Sequence, residues 1–256
     1  MDKLKLSILA AGLFAGAAQA TIVEVQTTQG NFQINLFDET TPKTVENFLK
    51  YVNDERYNEV VFHRLITDFV LQGGGYTYNG SKFLPIDTYG TVVNEPVYSN
   101  VRGTIAMAKV ANNPNSATSQ WFINLKDNSA NLDTQNGGFT VFGQVIGEGM
   151  DLIDQLSNFA CNEYPLVNTT EEQCTDLKNG NASLGAERLI TIENVTIIDS
   201  NSDTASDLTP KENTLIKEPP KPPVTSDDSG GSFGALLGLM ASALIWRRKR
   251  KPMLAR

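Results

Sequence analysis

Arg64 and Gln72 stand in a stretch that is otherwise largely apolar, Val61-Phe62-His63-Arg64-Leu65-Ile66-Thr67-Asp68-Phe69-Val70-Leu71-Gln72-Gly73-Gly74. A guanidinium is permanently charged and presents a rigid fork of donors, while an amide both donates and accepts. Set among aromatic residues, the pair describes a site that holds something apolar and directs a few hydrogen bonds at it. His63 is the sole histidine and the obvious candidate for a general base. Cys161 and Cys174 are the two cysteines, with no CxxC spacing, so redox catalysis has no sign in the chain.

The elements that must carry these residues are mostly short strands. Ile22 to Leu36 reads as a hairpin turning at Thr27-Thr28-Gln29-Gly30. Thr41-Pro42 starts a helix, with Thr41 as N-cap and Val45, Phe48, Leu49 and Val52 on the buried face. The Arg64 segment then forms two short strands around Thr67-Asp68. Further strands are expected at Gly103–Lys109, Trp121–Leu125 and Thr140–Ile146, and a second helix from about Met150 to Phe159. The final strand, Arg188 to Ile198, alternates strictly, placing Leu189, Thr191, Glu193, Val195 and Ile197 opposite Ile190, Ile192, Asn194, Thr196 and Ile198. Many short strands and two helices imply a mainly β fold; periodicity alone leaves barrel and sandwich open.

This domain spans residues 21–199, and both ends of the 256-residue chain are appendages. Residues 1–20 carry Lys3 and Lys5, an apolar stretch and Ala18-Gln19-Ala20, the pattern of a secretory signal peptide. Residues 200–229, rich in Ser, Asp, Thr, Pro and Lys, read as a disordered, solvated linker. Residues 230–256 follow: Gly230-Gly231, an apolar run from Phe233 to Trp246, and Arg247-Arg248-Lys249-Arg250-Lys251. That run gives a helix of only ~21 Å against a hydrocarbon core of ~30 Å. The tail resembles the GlyGly-CTERM sorting signal of Gram-negative bacteria. The resemblance implies transient residence in the inner membrane and a rhombosortase-type processing protease as partner. The expected location is periplasmic, cell-surface or secreted after processing, with a permanent inner-membrane anchor facing the periplasm as the alternative. The signal carries net +1 and the segment after Gly231 net +6, so trimming both takes the formal charge from −8 to −15. A surface that acidic argues against nucleic acid as a partner. In an oxidising compartment Cys161 and Cys174 would pair, closing a loop worth roughly 3 kcal/mol in the chain-entropy model.

The segment from Val61 to Gly74 resembles the signature of the cyclophilin family of peptidyl-prolyl cis-trans isomerases: F-H-R, a turn, F, then Q-G-G. Ile105-Ala106-Met107-Ala108, Ser116-Ala117-Thr118-Ser119-Gln120-Trp121-Phe122-Ile123-Asn124 and Phe139-Thr140-Val141-Phe142-Gly143-Gln144-Val145 resemble later motifs of its bacterial members, in the right order. The resemblance implies an eight-stranded antiparallel closed β-barrel capped by two α-helices, with the site on the outer surface. It implies Arg64 as the donor to the prolyl nitrogen and Gln72 as its support and a ligand for the substrate carbonyl. Phe69, Phe122 and Leu132 would form the proline pocket, with Val70 at the rim and Phe139 in the wall. The backbone of Ala108 and Lys109 would pair with the substrate chain, and Gln120 would contact the residue before the proline.

The activity so implied needs no cofactor, metal or nucleophile, and its partners are proline-containing polypeptides met by a monomer. Rotation about a peptide bond moves no proton, so His63 is structural on this reading. Many eukaryotic members have a histidine where this chain has Phe139 and a tryptophan where it has Asn131. The second departure implies weak binding of cyclosporin-type inhibitors. A non-catalytic binding module or chaperone displayed at the cell surface is the alternative function; the Arg64 and Gln72 pair favours the enzyme.

Overall fold

The computed structural model describes residues 21–201, 204 and 208–216. The signal peptide, most of the expected linker and the Gly230–Arg256 tail lie outside them. Among the described residues no helix is long and apolar enough to cross a membrane.

The chain opens with the hairpin β1 (Ile22–Thr27) and β2 (Gly30–Leu36), paired from Ile22–Asn35 to Thr27–Gly30. Gly30 lies at φ 126°, a conformation side chains rarely take, where its backbone turns against Leu152. Helix α1 (Pro42–Asn53) buries Val45, Phe48 and Val52, as the apolar spacing predicts, together with Tyr51, while Leu49 of the expected face is half-buried. Thr41 sits at the N-cap position, but its hydroxyl turns back to donate to Phe37 O at 3.1 Å. The Glu95 carboxylate caps the helix instead, accepting from Thr44 N at 2.9 Å and Thr44 Oγ1 at 2.7 Å. An anion at a helix N-terminus satisfies free amides and meets the positive end of the dipole.

The strands that follow are short: β3 (Val60–Val61), β4 (Arg64–Ile66), β5 (Val70–Gly73), β6 (Tyr76–Tyr78), β7 (Phe83–Pro85), β8 (Thr104–Met107) and β9 (Trp121–Asn124). After one helical turn, α2 (Ser129–Leu132), come β10 (Val141–Ile146) and α3 (Gly149–Ser157). A small hairpin, β11 (Ala160–Cys161) and β12 (Tyr164–Pro165), and helix α4 (Glu171–Asn179) precede the last strand, β13 (Thr191–Asp199).

Nine strands form one antiparallel sheet in the order β3-β13-β1-β2-β10-β8-β9-β5-β4. Among the described residues this is a mainly β, curled sheet, with one more strand than the eight expected and more than two helices. The edge strands β3 and β4 are successive pieces of one segment that changes partners between them. Phe62 N donates to Ile190 O at 3.0 Å on the β13 side, and His63 N to Gln72 O at 3.1 Å on the β5 side. The inner face packs Val25, Ile34, Leu65, Leu71, Ile105, Trp121, Ile123 and Phe142 against α1 and α3.

Two regions depart from the sequence expectation. In β13 the strict alternation fails: Ile192 and Val195 are both buried, while Ile197 and Ile198 are exposed. The register against β1 shifts between Gln26–Asn194 and Thr27–Ile192, so Glu193 is an unpaired bulge residue and the inward parity changes there. The second departure is the expected linker, of which residues 208–216 lie against the body. Ser99 N donates to Lys211 O and Asn213 N to Val97 O, each at 2.8 Å, and Asn213 Nδ2 donates to Asp133 O at 2.9 Å. Composition alone misses this because backbone pairing, not a run of apolar side chains, holds most of the segment.

Candidate active site

The β4–β5 hairpin pairs Arg64 with Gln72, Leu65 with Leu71 and Ile66 with Val70 across a turn in which Asp68 takes φ 56°. Side chains alternate across a strand. Leu65 and Leu71 therefore point into the core, and Arg64, Gln72 and Val70 reach the outer face. Gln72 pairs with Phe122 on β9, and Phe122 with Ala106 on β8, so an outward row runs across three strands.

On that face Val70, Phe122, Leu132, Phe139, Ala106, Val141 and Phe37 form a second, smaller apolar cluster, bordered by half-buried Phe69, Ala108, Tyr98 and Leu208. Phe122 and Phe139 meet edge to face with centroids 5.7 Å apart. The structure thus gathers Phe69, Val70, Phe122, Leu132, Phe139 and Ala108 in one place, from four separate parts of the chain.

A line of polar groups borders this cluster. Arg64 Nη1 donates to Gln72 Oε1 at 3.4 Å, and Gln72 Nε2 donates to Gln120 Oε1 at 2.9 Å. Two glycines make room for it. A Cβ on Gly75 would meet the Gln120 side chain at 2.6 Å, and one on Gly74, at φ 79°, would meet Ser119 O at 2.6 Å. Glycine-rich chain after Gln72 is therefore what lets Gln120 lie along the sheet. Burial lowers the Arg64 pKa, and the charge of Glu163 opposes that shift. His63, beneath the line, packs on Tyr76 with ring centroids 4.8 Å apart. Burial pushes its pKa down to about 4, against hydrogen bonding with Val61 and Gln120 that would raise it, so it is neutral at neutral pH.

The Lys109 side chain has a place that the sequence reading, which considered only its backbone, did not address. The Ala108 amide already donates to Gln120 O at 2.9 Å inside the sheet. The Lys109 side chain turns inward and is 7% exposed. Its Nζ donates to Asn94 Oδ1 at 3.2 Å, Asn136 O at 2.9 Å and Gly138 O at 2.5 Å, and lies 4.8 Å from the Phe139 ring centroid. Burial brings its pKa down to about 7. Asn94 Nδ2 also donates to Gly137 O at 2.7 Å and Gly138 O at 2.8 Å. Lys109 and Asn94 together hold the loop between Leu132 and Phe139. Sequence reasoning missed Asn94, whose one signal was its place beside an acid in a polar loop.

Cys161 and Cys174 form the disulfide. It joins the β11–β12 hairpin to α4, and this addition packs on Val61, Tyr76, Tyr78 and Phe83 beside the Arg64 hairpin. Glu163, in the turn of that hairpin, places Oε2 3.9 Å from Arg64 Nε. It was not anticipated, because the contact spans about a hundred residues of sequence.

A guanidinium beside an apolar cluster, on the outer face of a curled antiparallel sheet, can bind a proline ring and donate to its nitrogen. Residues 22–176 match the family described as Cyclophilin type peptidyl-prolyl cis-trans isomerase/CLD. The chain belongs to this family, and it is a peptidyl-prolyl cis-trans isomerase acting on proline-containing polypeptides. It is 38% identical over 174 residues to a peptidyl-prolyl cis-trans isomerase of Acinetobacter baylyi, covering 66% of this chain and 90% of that one. It is 36% identical to peptidyl-prolyl cis-trans isomerase B of Escherichia coli, over 54% of this chain and 85% of that one. The crystal structure of a cyclophilin-type peptidyl-prolyl cis-trans isomerase of Cryptosporidium parvum superposes with a TM-score of 0.51 at 26% identity. That match covers 70% of this chain and 98% of the other.

Proposed function

We propose that the chain isomerises X-Pro bonds in exported polypeptides as they fold, with Arg64 as the donor to the prolyl nitrogen. Amide resonance sets a barrier of ~18–20 kcal/mol to rotation. The nitrogen lone pair becomes an acceptor only as the amide twists, so a donor aimed at it binds the twisted state better than either planar form. Gln72 orients Arg64 and hydrogen-bonds the substrate carbonyl, while Phe122, Leu132 and Phe139 hold the ring as the preceding residue, against Gln120, rotates. Lowering the barrier by ~7 kcal/mol would accelerate the reaction roughly 10⁵-fold. The observation that carries this reading is the half-buried Arg64 guanidinium, hydrogen-bonded to Gln72 at the border of the Phe122–Phe139 cluster.

The test is isomerisation of a proline tetrapeptide by the purified protein. Activity that survives in Arg64→Ala sinks the mechanism, and no activity in the unmutated protein favours a binding module. Residues 1–20 support export, and residues 230–256 support membrane residence ended by a processing protease. Mass spectrometry of the exported protein decides between processing and a permanent anchor: a C-terminus at Arg256 rules out sorting. Asn131, in place of the tryptophan of many eukaryotic members, supports weak cyclosporin binding.

A further inference from the structure

The disulfide-bonded addition between α3 and β13 reaches the active site at one residue. Asn162 and Glu163 form the two-residue turn between paired Cys161 and Tyr164, at φ 50° and 69°. Asparagine tolerates that left-handed region, but glutamate rarely adopts it. The turn is fastened from several directions. Glu163 O accepts from Leu65 N at 2.6 Å, directly beside Arg64. The Cys161–Cys174 bond ties the hairpin to α4, and Tyr164 stacks on Phe83 with centroids 5.7 Å apart and planes 5° from parallel.

The carboxylate so presented lies toward Arg64 Nε, on a different side of the guanidinium from Gln72, which takes Nη1. Among the described residues Nη2 has no partner, which leaves it for substrate. A guanidinium on a flexible stem otherwise swings among rotamers, and a donor aimed at a transient lone pair must be held in place beforehand.

We propose that Glu163 is a positioning residue for the isomerisation, holding Arg64 so that Nη2 faces the substrate, and that the Cys161–Cys174 bridge supports activity by fixing the turn that presents it. This rests on Arg64 as the catalytic donor. Glu163 does not touch the substrate; its effect falls on the rate of the bound complex rather than on binding.

The test measures kcat and KM of the full-length protein on a proline tetrapeptide. The carboxylate side chain is 70% exposed, so the pair is modest in strength and screened by salt. At low ionic strength Glu163→Gln should lower kcat about three-fold with KM unchanged, as expected for an exposed ion pair. Raising salt to about 0.5 M, where the Debye length is only a few ångströms, should bring the unmutated protein down to the variant's rate and leave the variant unmoved. The double variant C161S/C174S, folded by circular dichroism, should show the same kcat loss, with none added by E163Q. An E163Q variant that matches or exceeds the unmutated kcat, keeps the salt dependence, or loses only in KM overturns the proposal. So does a folded C161S/C174S variant at full rate. These failures are separable from failure of the parent reading: an inactive Arg64→Ala beside a fully active E163Q removes only the role of Glu163.

Discussion

Two cations border the apolar cluster, and they are held in opposite ways. Arg64 is half-buried, with one loose bond to Gln72 and a distant, exposed carboxylate at Glu163. Lys109 is buried, and its ammonium is enclosed by one amide and two backbone carbonyl oxygens. A reacting group must keep donors free for substrate, so it stays under-satisfied in the resting protein. A structural cation must spend its donors on the fold, because an unpaired buried charge is strongly destabilising. On the proposed mechanism the comparison separates chemistry from architecture within one site, and it assigns the Lys109 side chain to the architecture of the pocket wall.

The sharpest way to break the comparison is to remove each cation in turn. Arg64→Ala should lower kcat/KM at least about a hundred-fold, while unfolding free energy changes by less than about 1 kcal/mol, because few native contacts are lost. Arg64→Lys should recover little, since a point charge on a mobile stem does not reproduce the fork. Activity assays alongside urea unfolding would show the split.

Lys109→Met should behave in the reverse manner. It leaves the carbonyl of Asn136 without its donor and removes one of two donors from Asn94 Oδ1 and from Gly138 O, which keep Thr140 Oγ1 and Asn94 Nδ2, a loss of about 1–3 kcal/mol in stability. The Gln135–Phe139 loop then loosens, and KM for a proline peptide should rise a few-fold with kcat nearly unchanged. A Lys109→Met variant as stable as the parent, or one defective only in kcat, would erase the contrast.

Legibility in the sequence followed the range of the interactions. The face of α1 and the outward row from Arg64 through Phe122 could be read, because local periodicity and motif order determine them. The carboxylate that caps α1 could not, since Glu95 arrives from a loop about fifty residues on. The alternation of β13 was misread because a bulge at Glu193 depends on register with β1, and no single strand encodes its own register. The inward turn of Lys109 was illegible for a related reason: its acceptors are mostly backbone carbonyls, which carry no residue signature.

A pH series sharpens the Lys109 half of the comparison. Its folded pKa, about 7, lies below the ordinary 10.5 because burial disfavours the charged form. Between these values the unfolded chain binds the proton and the folded chain does not, so stability rises with pH across that window. The contribution is present in full above 10.5 and is lost as pH falls through about 7. The difference in Tm between the unmutated protein and Lys109→Met should therefore change steadily from pH 7 to 10, and stay flat below pH 6. Arg64 keeps its charge throughout this range, so Arg64→Ala should track the unmutated curve.

The smallest effect is expected where the chain after β13 returns to the cluster. Leu208 is half-buried against the group that contains Phe122, Leu132 and Phe139. The following residues are held by Val97, Ser99 and Asp133. Leu208→Ala removes part of that cover, at a cost of about 1 kcal/mol for a half-buried side chain. If the wall is architecture, as the Lys109 cage implies, the loss should appear as a lower Tm and a slightly higher KM, and combine with Lys109→Met non-additively because both act on the Leu132–Phe139 loop. If Leu208→Ala instead raises kcat/KM, the segment covers the proline site and restrains it, and the wall is not passive. Steady-state kinetics of the two single variants and the double variant separate these outcomes.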